Sequence, residues 1–223
     1  MGTLFIVATP IGNLKDITLR ALETLKKVDS VICEDTRITG KLLNYYGIKK
    51  TMISLNEFNE KAKTAQIISI LKSNKDLALI SDAGTPLVSD PGFYLVNEAI
   101  KNNIVLESIP GSTALICAIT LSGYSGQNFY FAGFMPKKSM KRELFLKNIL
   151  LLRKKLKFTI VAYESPYRLI KTLNNIQGLG GNIKIAICRE MTKLHQEIRR
   201  ENINSSIAHF LKNKPRGEFT IIF

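Results

Sequence analysis

The first half of the chain alternates short apolar runs with longer segments in which apolar residues recur every three or four positions. The short runs at 3–8 and 77–80 predict buried strands. Residues 17–28 are predicted to form a helix, because their apolar residues recur at the spacing of one helix face. Further strands are expected at 30–33, 51–55 and 104–109, and further helices at 39–48, about 60–72 and about 91–101. This alternation predicts right-handed crossovers and a mostly parallel, doubly wound sheet.

The pattern loosens after residue 110. A helix is expected to open at "PGSTA" (110–114), and "GYSGQN" (123–128) is a turn-rich link. Strands are then expected near 129–134, 157–163, 183–188, 195–200 and 218–223, and helices near 139–151, 166–177 and 204–212. We therefore predict an α/β protein of two domains, 1–114 and 115–223, of which the second has a mixed α/β sheet.

Composition narrows the class of protein. Hydrophobic residues make up 45% and charged residues 22% of the chain, as in ordinary globular proteins. No stretch approaches the ~20 apolar residues of a spanning helix, and the N-terminal apolar run lacks the basic flank of a signal peptide. The three cysteines, Cys33, Cys117 and Cys188, are widely spaced and are expected to be reduced core thiols. We expect a cytoplasmic protein with no membrane segment and no metal site.

The net charge of +14 is distributed unevenly along the chain. Residues 132–223 contain 19 Lys and Arg against 6 Asp and Glu, a balance of +13, whereas residues 1–131 contain 13 against 12, a balance of +1. A polyanionic partner on the second half, nucleic acid first of all, accounts for this asymmetry. A generally lysine-rich composition is the alternative, but it should affect both halves alike.

Candidate chemistry lies in loops that directly follow predicted strands. They are "TPIGNLKD" (9–16), "EDTR" (34–37), "SDAGTPLVSDPG" (81–92), "PGSTA" (110–114), "YESPYR" (163–168) and "CREMTK" (188–193). Neither a dinucleotide-binding glycine pattern nor a P-loop is present. Backbone amides, small hydroxyls and apolar residues suit an adenosine and an amino-acid zwitterion better than a polyphosphate. In addition, Ser112 and Thr113 open a helix whose amides can receive a carboxylate. These features favour S-adenosylmethionine as the cofactor.

Seven motifs, taken in order, carry a family resemblance: "TPIGNLKDITLRALETL", "CEDTR", "SDAGTPLVSDPG", "PGSTA", "YESPYRL", "REMTK" and "PRGEFTIIF". Together they resemble the ribosomal RNA small subunit methyltransferase I family of the tetrapyrrole methylase superfamily, over essentially the whole chain. The resemblance implies S-adenosylmethionine-dependent 2′-O-methylation of a cytidine in the decoding region of 16S rRNA, with 16S rRNA or the 30S subunit as partner. It also implies the two-domain fold of that superfamily, a homodimer, and a cofactor held in the cleft between the domains.

The resemblance also assigns residues to the cofactor. They are Pro10, Gly12, Gly84, Thr85, Val88, Thr113, Ala114, Ala162 and Tyr163. The wider superfamily usually has Gly-Asp-Pro in the opening motif, where this chain has Gly84, Thr85 and Pro86. In the same loop, Asp90 is expected to cap the next helix, with Pro91 in its first turn. Asp82 is left open between cofactor contact and loop bracing.

Methylating a ribose hydroxyl requires an immobilised ribose and a group that takes the proton. The candidate catalytic residues are Glu34, Asp35 and, if burial lowers the pKa of its ammonium, Lys193. Glu190 is a further candidate base, as is Glu164. The residues expected to bind substrate groups are Arg37, Asn56, Glu57, Glu164, Arg168 and Arg189. For each arginine, a solvated or structural ion pair is the competing interpretation.

Departures from the family pattern keep two alternatives open. Relatives tend to carry histidines within "CEDTRHT" and "SYHEHNE", where this chain has Ile38 and "SLNEFNE". A histidine base at those positions is therefore excluded, and a non-catalytic RNA-binding relative is one alternative. A tetrapyrrole (precorrin) methyltransferase is the other, although "CEDTR" and "SDAGTP" argue against it.

Overall fold

Two five-stranded sheets organise the chain, one in each of two units. The computed structural model describes residues 1–223. The first unit is Met1–Thr113 and the second is Ala114–Phe223. None of the helices is long and apolar enough to cross a membrane. No group of three or more His, Cys, Asp or Glu side chains is arranged to hold a metal ion.

The sheet of the first unit is parallel throughout. Its strands are β1 (Thr3–Val7), β2 (Ser30–Cys33), β3 (Thr51–Ser54), β4 (Leu77–Leu79) and β5 (Val105–Ile109), in the spatial order β3-β2-β4-β1-β5. Its helices are α1 (Leu19–Lys27), α2 (Thr36–Tyr45), α3 (Glu60–Lys72) and α4 (Phe93–Lys101), with a short 3-10 helix at Leu14–Asp16. The predicted parallel α/β arrangement is confirmed.

Side chains of the central strands alternate between two hydrophobic cores. Leu4 of β1 packs with residues of α3 and α4, whereas its neighbour Phe5 packs with residues of α1 and α2. All three residues of β4 are buried, because helices cover both faces of the sheet. The sheet is therefore doubly wound, and the ends of its strands are the places left to form a site.

Side-chain caps determine where two of the helices begin. The Thr18 hydroxyl accepts a hydrogen bond from the Ala21 amide at 3.1 Å and caps α1. The Asp35 carboxylate accepts one from the Arg37 amide at 2.8 Å and caps α2. Caps of this kind contribute about 1 kcal/mol each to helix stability. Because of its cap, α2 begins at residue 36, earlier than the apolar pattern predicted.

The loop between β4 and α4 differs from its predicted form. The prediction that Asp90 caps α4, with Pro91 in the first turn, is wrong: the N-cap is Gly92, whose φ is 122°. Leu87 and Ser89 also have left-handed backbones, with φ of 70° and 72°. Left-handed backbones are costly for residues other than glycine and persist where the surrounding structure enforces them. This loop is therefore held in a strained conformation.

The sheet of the second unit is mixed, as predicted. Its strands are β6 (Phe129–Phe134), β7 (Thr159–Glu164), β8 (Lys184–Arg189), β9 (Glu197–Asn202) and β10 (Phe219–Ile222), in the order β6-β7-β10-β8-β9. Only β6 and β7 are parallel neighbours. Its helices are α5 (Ala114–Ser122), α6 (Ser139–Leu156), α7 (Leu169–Gly180) and α8 (Ile203–Lys212). The end of α6 lies beyond its predicted end because basic residues at 153–155 are strong helix formers and favour a helix C-terminus.

Candidate active site

The carboxyl edge of the parallel sheet brings the predicted loops of the first unit together. Because all five strands run in the same direction, the segments that follow them lie along one edge: 8–13, 34–35, 55–59, 80–92 and 110–113. The chain leaves β2 toward β3 and leaves the neighbouring β4 toward β5, on opposite sides. Such a switch point opens a crevice at the strand ends. Glu34 follows β2 here, and Asp82 follows β4.

Hydrogen bonds join the loop after β1 to the loop after β4. The Thr9 amide donates to the Gly84 carbonyl at 2.8 Å, and the Gly84 amide donates to the Thr9 carbonyl at 3.1 Å. The Thr9 hydroxyl donates to the Ser81 carbonyl at 3.1 Å. Thr9 and Ser81 are both buried, so water does not compete for these bonds. The two loops are therefore held as one rigid support.

Gly84 and Thr85 bring the loop after β5 to the same place. The Thr85 hydroxyl donates to the Ser112 carbonyl at 3.2 Å. Gly84 has a φ of +84°, and a Cβ atom there would lie 3.3 Å from Cγ2 of Ile11 and 3.7 Å from the Ser112 carbonyl oxygen. Glycine is required both by the left-handed backbone and by the close approach of the neighbouring loops. The loops after β1, β4 and β5 thus meet at a junction around Gly84.

The other predicted cofactor residues of the first unit lie in these same loops. Pro10 is buried and Gly12 is exposed in the loop after β1. The Val88 amide donates to the Thr85 carbonyl at 3.4 Å, and Thr113 is half-buried just before α5. None of the five edge segments contains Lys, Arg or His. A ligand bound at this edge would therefore meet backbone, hydroxyl and carboxylate groups, with Arg37, just beyond Asp35, as the neighbouring cation.

Carboxylates with raised pKa values are concentrated at the edge. Burial, and then the charge of Asp82, raises the pKa of Glu34. Burial also raises the pKa of Asp82, although its carboxylate accepts a hydrogen bond from the Asp35 amide at 3.1 Å. The pKa of Asp90 is raised to about 6, by burial and by the charge of Glu34, against a hydrogen bond with Ser81 that lowers it. A positively charged ligand would stabilise the ionised forms of all three acids.

Arg37 sets Asp35 apart from these acids. The Arg37 guanidinium donates to the Asp35 carboxylate from Nε at 3.0 and 3.2 Å and from Nη2 at 2.6 Å. These bonds, together with the helix-capping bond, lower the pKa of Asp35 to about 2. Asp35 is therefore a weak proton acceptor. The Arg37 side chain is 86% exposed, so its guanidinium meets solvent as well as Asp35.

Asn56 and Glu57 occupy the loop after β3 at the same edge. The Asn56 side-chain oxygen accepts hydrogen bonds from the Phe58 and Asn59 amides, at 3.1 and 3.2 Å, and stabilises the turn before α3. Glu57 is exposed, and its charge contributes to the raised pKa of Glu34. The structure therefore brings Glu57 near Glu34, while the Asn56 oxygen is engaged within its own loop.

Sequence reasoning missed that Asp90 lies beside Glu34 at this edge as an acid with a raised pKa. The available signal was its position in "SDAGTPLVSDPG", the loop that follows the strand at the switch point. Ser-Asp next to Pro-Gly is also ordinary turn and cap chemistry, so the sequence alone favours a structural role for Asp90. Asp82, for which the sequence allows either a cofactor contact or a loop-stabilising role, accepts a hydrogen bond from the Asp35 amide and so stabilises the end of β2.

In the second unit, Glu164 and Arg168 bind each other. The Glu164 carboxylate is fully buried and lies 2.6 Å from Nη2 of Arg168. It also accepts hydrogen bonds from the Ser165 amide at 2.8 Å and the Thr172 hydroxyl at 2.5 Å. The guanidinium donates to the Met135 carbonyl at 3.1 Å. This is the arrangement of a satisfied structural ion pair, and the predicted contacts of both residues with substrate stay predictions.

Ala162 and Tyr163 lie next to this pair on β7. Ala162 is fully buried in the core of the second unit and faces Ile221 of β10. The Tyr163 hydroxyl accepts a hydrogen bond from the Leu115 amide at 3.1 Å, directly after Ala114 at the start of α5. Tyr163 thus ties α5 to β7. The cofactor contacts predicted for Ala114, Ala162 and Tyr163 stay predictions.

The condition under which Lys193 could act as a base, a pKa lowered by burial, is not met. Burial acts in that direction, but Nζ lies 2.7 Å from Glu218 and 2.9 Å from Glu190, and these hydrogen bonds raise the pKa above its usual value. A lysine that stays charged cannot accept a proton. Arg189, in the same loop region, pairs with Glu197 at 3.2 Å. Its predicted contact with substrate stays a prediction.

Comparison with known proteins identifies the family. Residues 3–205 match the family model of the Tetrapyrrole (Corrin/Porphyrin) Methylases. A Thermotoga maritima protein named ribosomal RNA small subunit methyltransferase I is 48% identical over 222 residues, which cover 100% of this chain and 98% of that protein. A Mycoplasmopsis pulmonis protein of the same name is 45% identical, again with 100% and 98% coverage.

Solved structures resemble the chain in fold. A crystal structure of diphthine synthase matches with a TM-score of 0.77 at 12% identity, covering 100% of this chain and 89% of that one. Uroporphyrin-III-C-methyltransferase from Thermus thermophilus matches with a TM-score of 0.66 at 16% identity, covering 100% and 94%. At such identities the likeness concerns the fold alone. Taken with the sequence relatives, it means that the chain belongs to the tetrapyrrole methylase family and, within it, to the ribosomal RNA small subunit methyltransferase I group.

Proposed function

We propose that the protein uses S-adenosylmethionine to methylate the ribose 2′-hydroxyl of a cytidine in the decoding region of 16S rRNA. Relatives that share 41 to 48% of its residues are named for methyl transfer to small-subunit ribosomal RNA, which supports the reaction class. The observation that carries the proposal is the carboxyl edge of the first sheet, with its glycine junction and its excess of acids. The protein is proposed to act in the cytoplasm as a homodimer, on 16S rRNA or on the 30S subunit.

The edge fits a cofactor that carries a positive charge and no phosphate. The first-unit residues proposed to hold S-adenosylmethionine are Pro10, Gly12, Gly84, Thr85, Val88 and Thr113. Their main-chain and hydroxyl groups suit an adenosine and an amino-acid group, and the nearby acids favour a cation. When bound, this cofactor supplies an activated methyl group on a positively charged sulfur. A polyphosphate cofactor is disfavoured, because its charge would meet five carboxylates, whose only cation partner is Arg37 on Asp35.

Among the predicted bases, Glu34 is the best suited to accept the proton of the ribose hydroxyl. Its raised pKa brings it closer to neutral pH, where a general base is most effective. Asp35, with a pKa of about 2, and Lys193, which stays charged, are both poor acceptors. Arg37 is proposed to bind a substrate phosphate with its exposed side chain. Because the cofactor supplies an activated methyl group, we expect the protein to raise the rate mainly by positioning the ribose.

The test of the reaction supplies the protein and methyl-labelled S-adenosylmethionine with either 30S subunits or a tetrapyrrole acceptor. The subunits come from cells that lack the gene, so that the target site is unmodified. We expect label in 16S rRNA, which mass spectrometry maps to a 2′-O-methylcytidine. Label only in the tetrapyrrole would identify the protein as a tetrapyrrole methyltransferase. Binding of rRNA with no label in either acceptor would identify a non-catalytic relative.

The test of the proton acceptor compares Glu34→Gln with Asp35→Asn. Glu34→Gln is expected to lower the rate of methyl transfer by about 100-fold, the usual contribution of a general base, with the affinity for S-adenosylmethionine unchanged. Asp35→Asn is the matched control, because asparagine still caps α2 and Asp35 is a weak base. Equal losses in the two variants, or full activity of Glu34→Gln at every pH, would exclude this role for Glu34.

A further inference from the structure

A groove on the second unit has cations along its rim and an apolar floor. It encloses about 780 Å³ between the link before β6, the C-terminal half of α6, the start of β7 and the end of α7. Its cations are Lys147, Arg153, Lys154 and Lys157, its two rings are those of Tyr124 and Phe158, and the rest of the lining is mainly aliphatic, with Ser125 and Thr159 as the other polar residues. No carboxylate lines it. We call this feature the α6 groove. Its volume falls within the range of ordinary ligand sites.

We infer that the α6 groove binds a single-stranded segment of the RNA substrate, with phosphates on the cations and a base against Tyr124. The inference rests on the proposed function only in taking the strand to be rRNA. Single-stranded nucleic acids are bound by this combination, a positively charged groove with exposed aromatic faces for stacking. Four cations without a carboxylate give the groove the charge complementary to an RNA backbone.

The cations are placed along one path by the geometry of α6. Lys147 and Lys154 are seven residues apart, so they lie on the same helix face and roughly 10 Å apart along its axis. Lys157 follows the helix in the left-handed conformation, with a φ of 49°, and turns the chain toward β7. Lys147, Lys154 and Lys157 are exposed. Their ammonium groups have no ion-pair partner within 4 Å, unlike those of Lys101 and Lys193 in the same chain.

The aromatic side of the groove is fixed in position. The Tyr124 hydroxyl donates to the Lys184 carbonyl at 2.5 Å, and its ring is only partly buried. The Thr159 hydroxyl donates to the Ser125 carbonyl at 2.8 Å and holds the link before β6 against β7. The floor beneath, which includes Phe158, packs against the core of the second unit. A ring held in this way can stack with a base without a large loss of conformational entropy.

The first experiment measures the affinity for a fluorescent oligouridine of about twelve nucleotides by anisotropy, without S-adenosylmethionine. The triple variant K147Q/K154Q/K157Q is expected to bind about tenfold or more weakly. The slope of log affinity against log salt concentration should be shallower by roughly 2 in this variant, because each lost phosphate contact removes ~0.7. The matched control K171Q/K212Q/K214Q removes three exposed lysines of the same unit outside the groove. Equal losses in the two triples would overturn the inference.

The second experiment tests stacking with a strand of equal length that lacks bases. Tyr124→Ala is expected to weaken binding of oligouridine about fivefold or more and to leave binding of the abasic strand unchanged. Tyr124→Phe keeps the ring but loses the bond to Lys184 that holds it in place, so its affinity should lie between those of the wild type and Tyr124→Ala. Equal weakening on both strands would mean that the groove is a site for anions in general and would overturn the RNA assignment.

The outcomes separate this inference from the proposed function. If the wild type methylates 30S subunits and K147Q/K154Q/K157Q does so equally at limiting subunit concentration, the groove assignment fails and the function stands. If oligouridine binds in the groove but no RNA acceptor is methylated, the function fails and the assignment stands. Sedimentation provides a further check, because a triple variant that changes its oligomeric state at unchanged RNA affinity would identify the groove as a subunit contact.

Discussion

At the carboxyl edge of the first sheet, the strand-end segments contain five carboxylates and no Lys, Arg or His, whereas the α6 groove of the second unit contains four cations and no carboxylate. The balance of +1 against +13 along the chain is therefore not a uniform surface property. Each unit has one surface at which a single sign of charge is concentrated. The first suits a cationic cofactor and the second a polyanionic substrate.

The two units also differ in how they accommodate a carboxylate away from water. At the edge, burial and mutual repulsion raise the pKa values of Glu34, Asp82 and Asp90. In the second unit, Glu164 is fully buried but is paired with Arg168 and two further donors. A buried acid without a partner destabilises the folded protein when it is ionised. A buried acid in an ion pair destabilises the folded protein when its charge is removed, because its partner is left uncompensated. Substitutions of the two kinds should therefore have opposite effects.

The largest effect is expected for Glu164→Gln. It leaves the half-buried Arg168 guanidinium without its counter-ion and should destabilise the second unit by about 3 kcal/mol, the lower end for a buried pair. Hydrogen exchange of β7 and β10 amides in the whole chain measures this locally. Glu98→Gln, which breaks the exposed pair with Lys101, is the control and should cost less than about 1 kcal/mol. Wild-type protection in Glu164→Gln would contradict the structural role.

The next effect concerns the junction around Gly84. Gly84→Ala forces an L residue to a φ of +84° and places its Cβ 3.3 Å from the Ile11 side chain. We expect a loss of about 2 kcal/mol in unfolding free energy and an affinity for S-adenosylmethionine lower by about tenfold. Urea unfolding and titration calorimetry measure the two quantities.

Gly47→Ala is the matched control for this substitution. Gly47 has a φ of +65°, but nothing lies within 4 Å of an added Cβ there. The cost should be about 1 kcal/mol, from the backbone alone, with cofactor affinity unchanged. Equal effects of the two substitutions would show that the packing of the loops around Gly84 is unimportant.

A smaller effect, of opposite sign, is expected for Asp90→Asn. Asp90 has a pKa of about 6 in the folded protein against 3.8 in a model peptide, so its ionised form disfavours folding above pH 6. Asparagine should raise stability by about 1 kcal/mol at about pH 8, after a discount for partial exposure. The gain should disappear as the pH falls toward 3.8. Urea unfolding across this range measures it, with Glu107→Gln as the control for removal of an exposed carboxylate. A gain that grows toward acid would refute the assignment.

The smallest effect concerns the one edge carboxylate that has a cation beside it. Arg37→Gln should raise the pKa of Asp35 from about 2 toward its usual value. The hydrogen bonds from the guanidinium are the largest cause of the lowered pKa. Titration of the Asp35 carboxyl carbon by NMR measures this change. Lys75→Gln should act in the same direction on Asp29, whose pKa is also lowered by its partner. A pKa that stays at about 2 without Arg37 would assign the shift to the helix cap.

Much of the fold could be predicted because strand and helix periodicity is local. The predicted bounds of β2 and α3 coincide with those observed, since each has a clear apolar pattern between polar turns. Helix starts were less predictable, because they depend on which side chain finds a backbone donor. Asp35 caps α2 through the Arg37 amide, whereas Asp90, of the same residue type, lies beside Ser81 and caps nothing.

The sequence by itself determined the alternation of strands and helices, the uneven charge and the family motifs, because each is a property of order along the chain. Only the tertiary structure decided the direction in which the pKa values of Glu34, Asp90 and Lys193 shift, since burial and neighbouring groups set it. The α6 groove is likewise built from parts of the chain that lie far apart in sequence, from Tyr124 to Ile183. Solvation and proximity act in three dimensions, so residue type and spacing alone do not specify them.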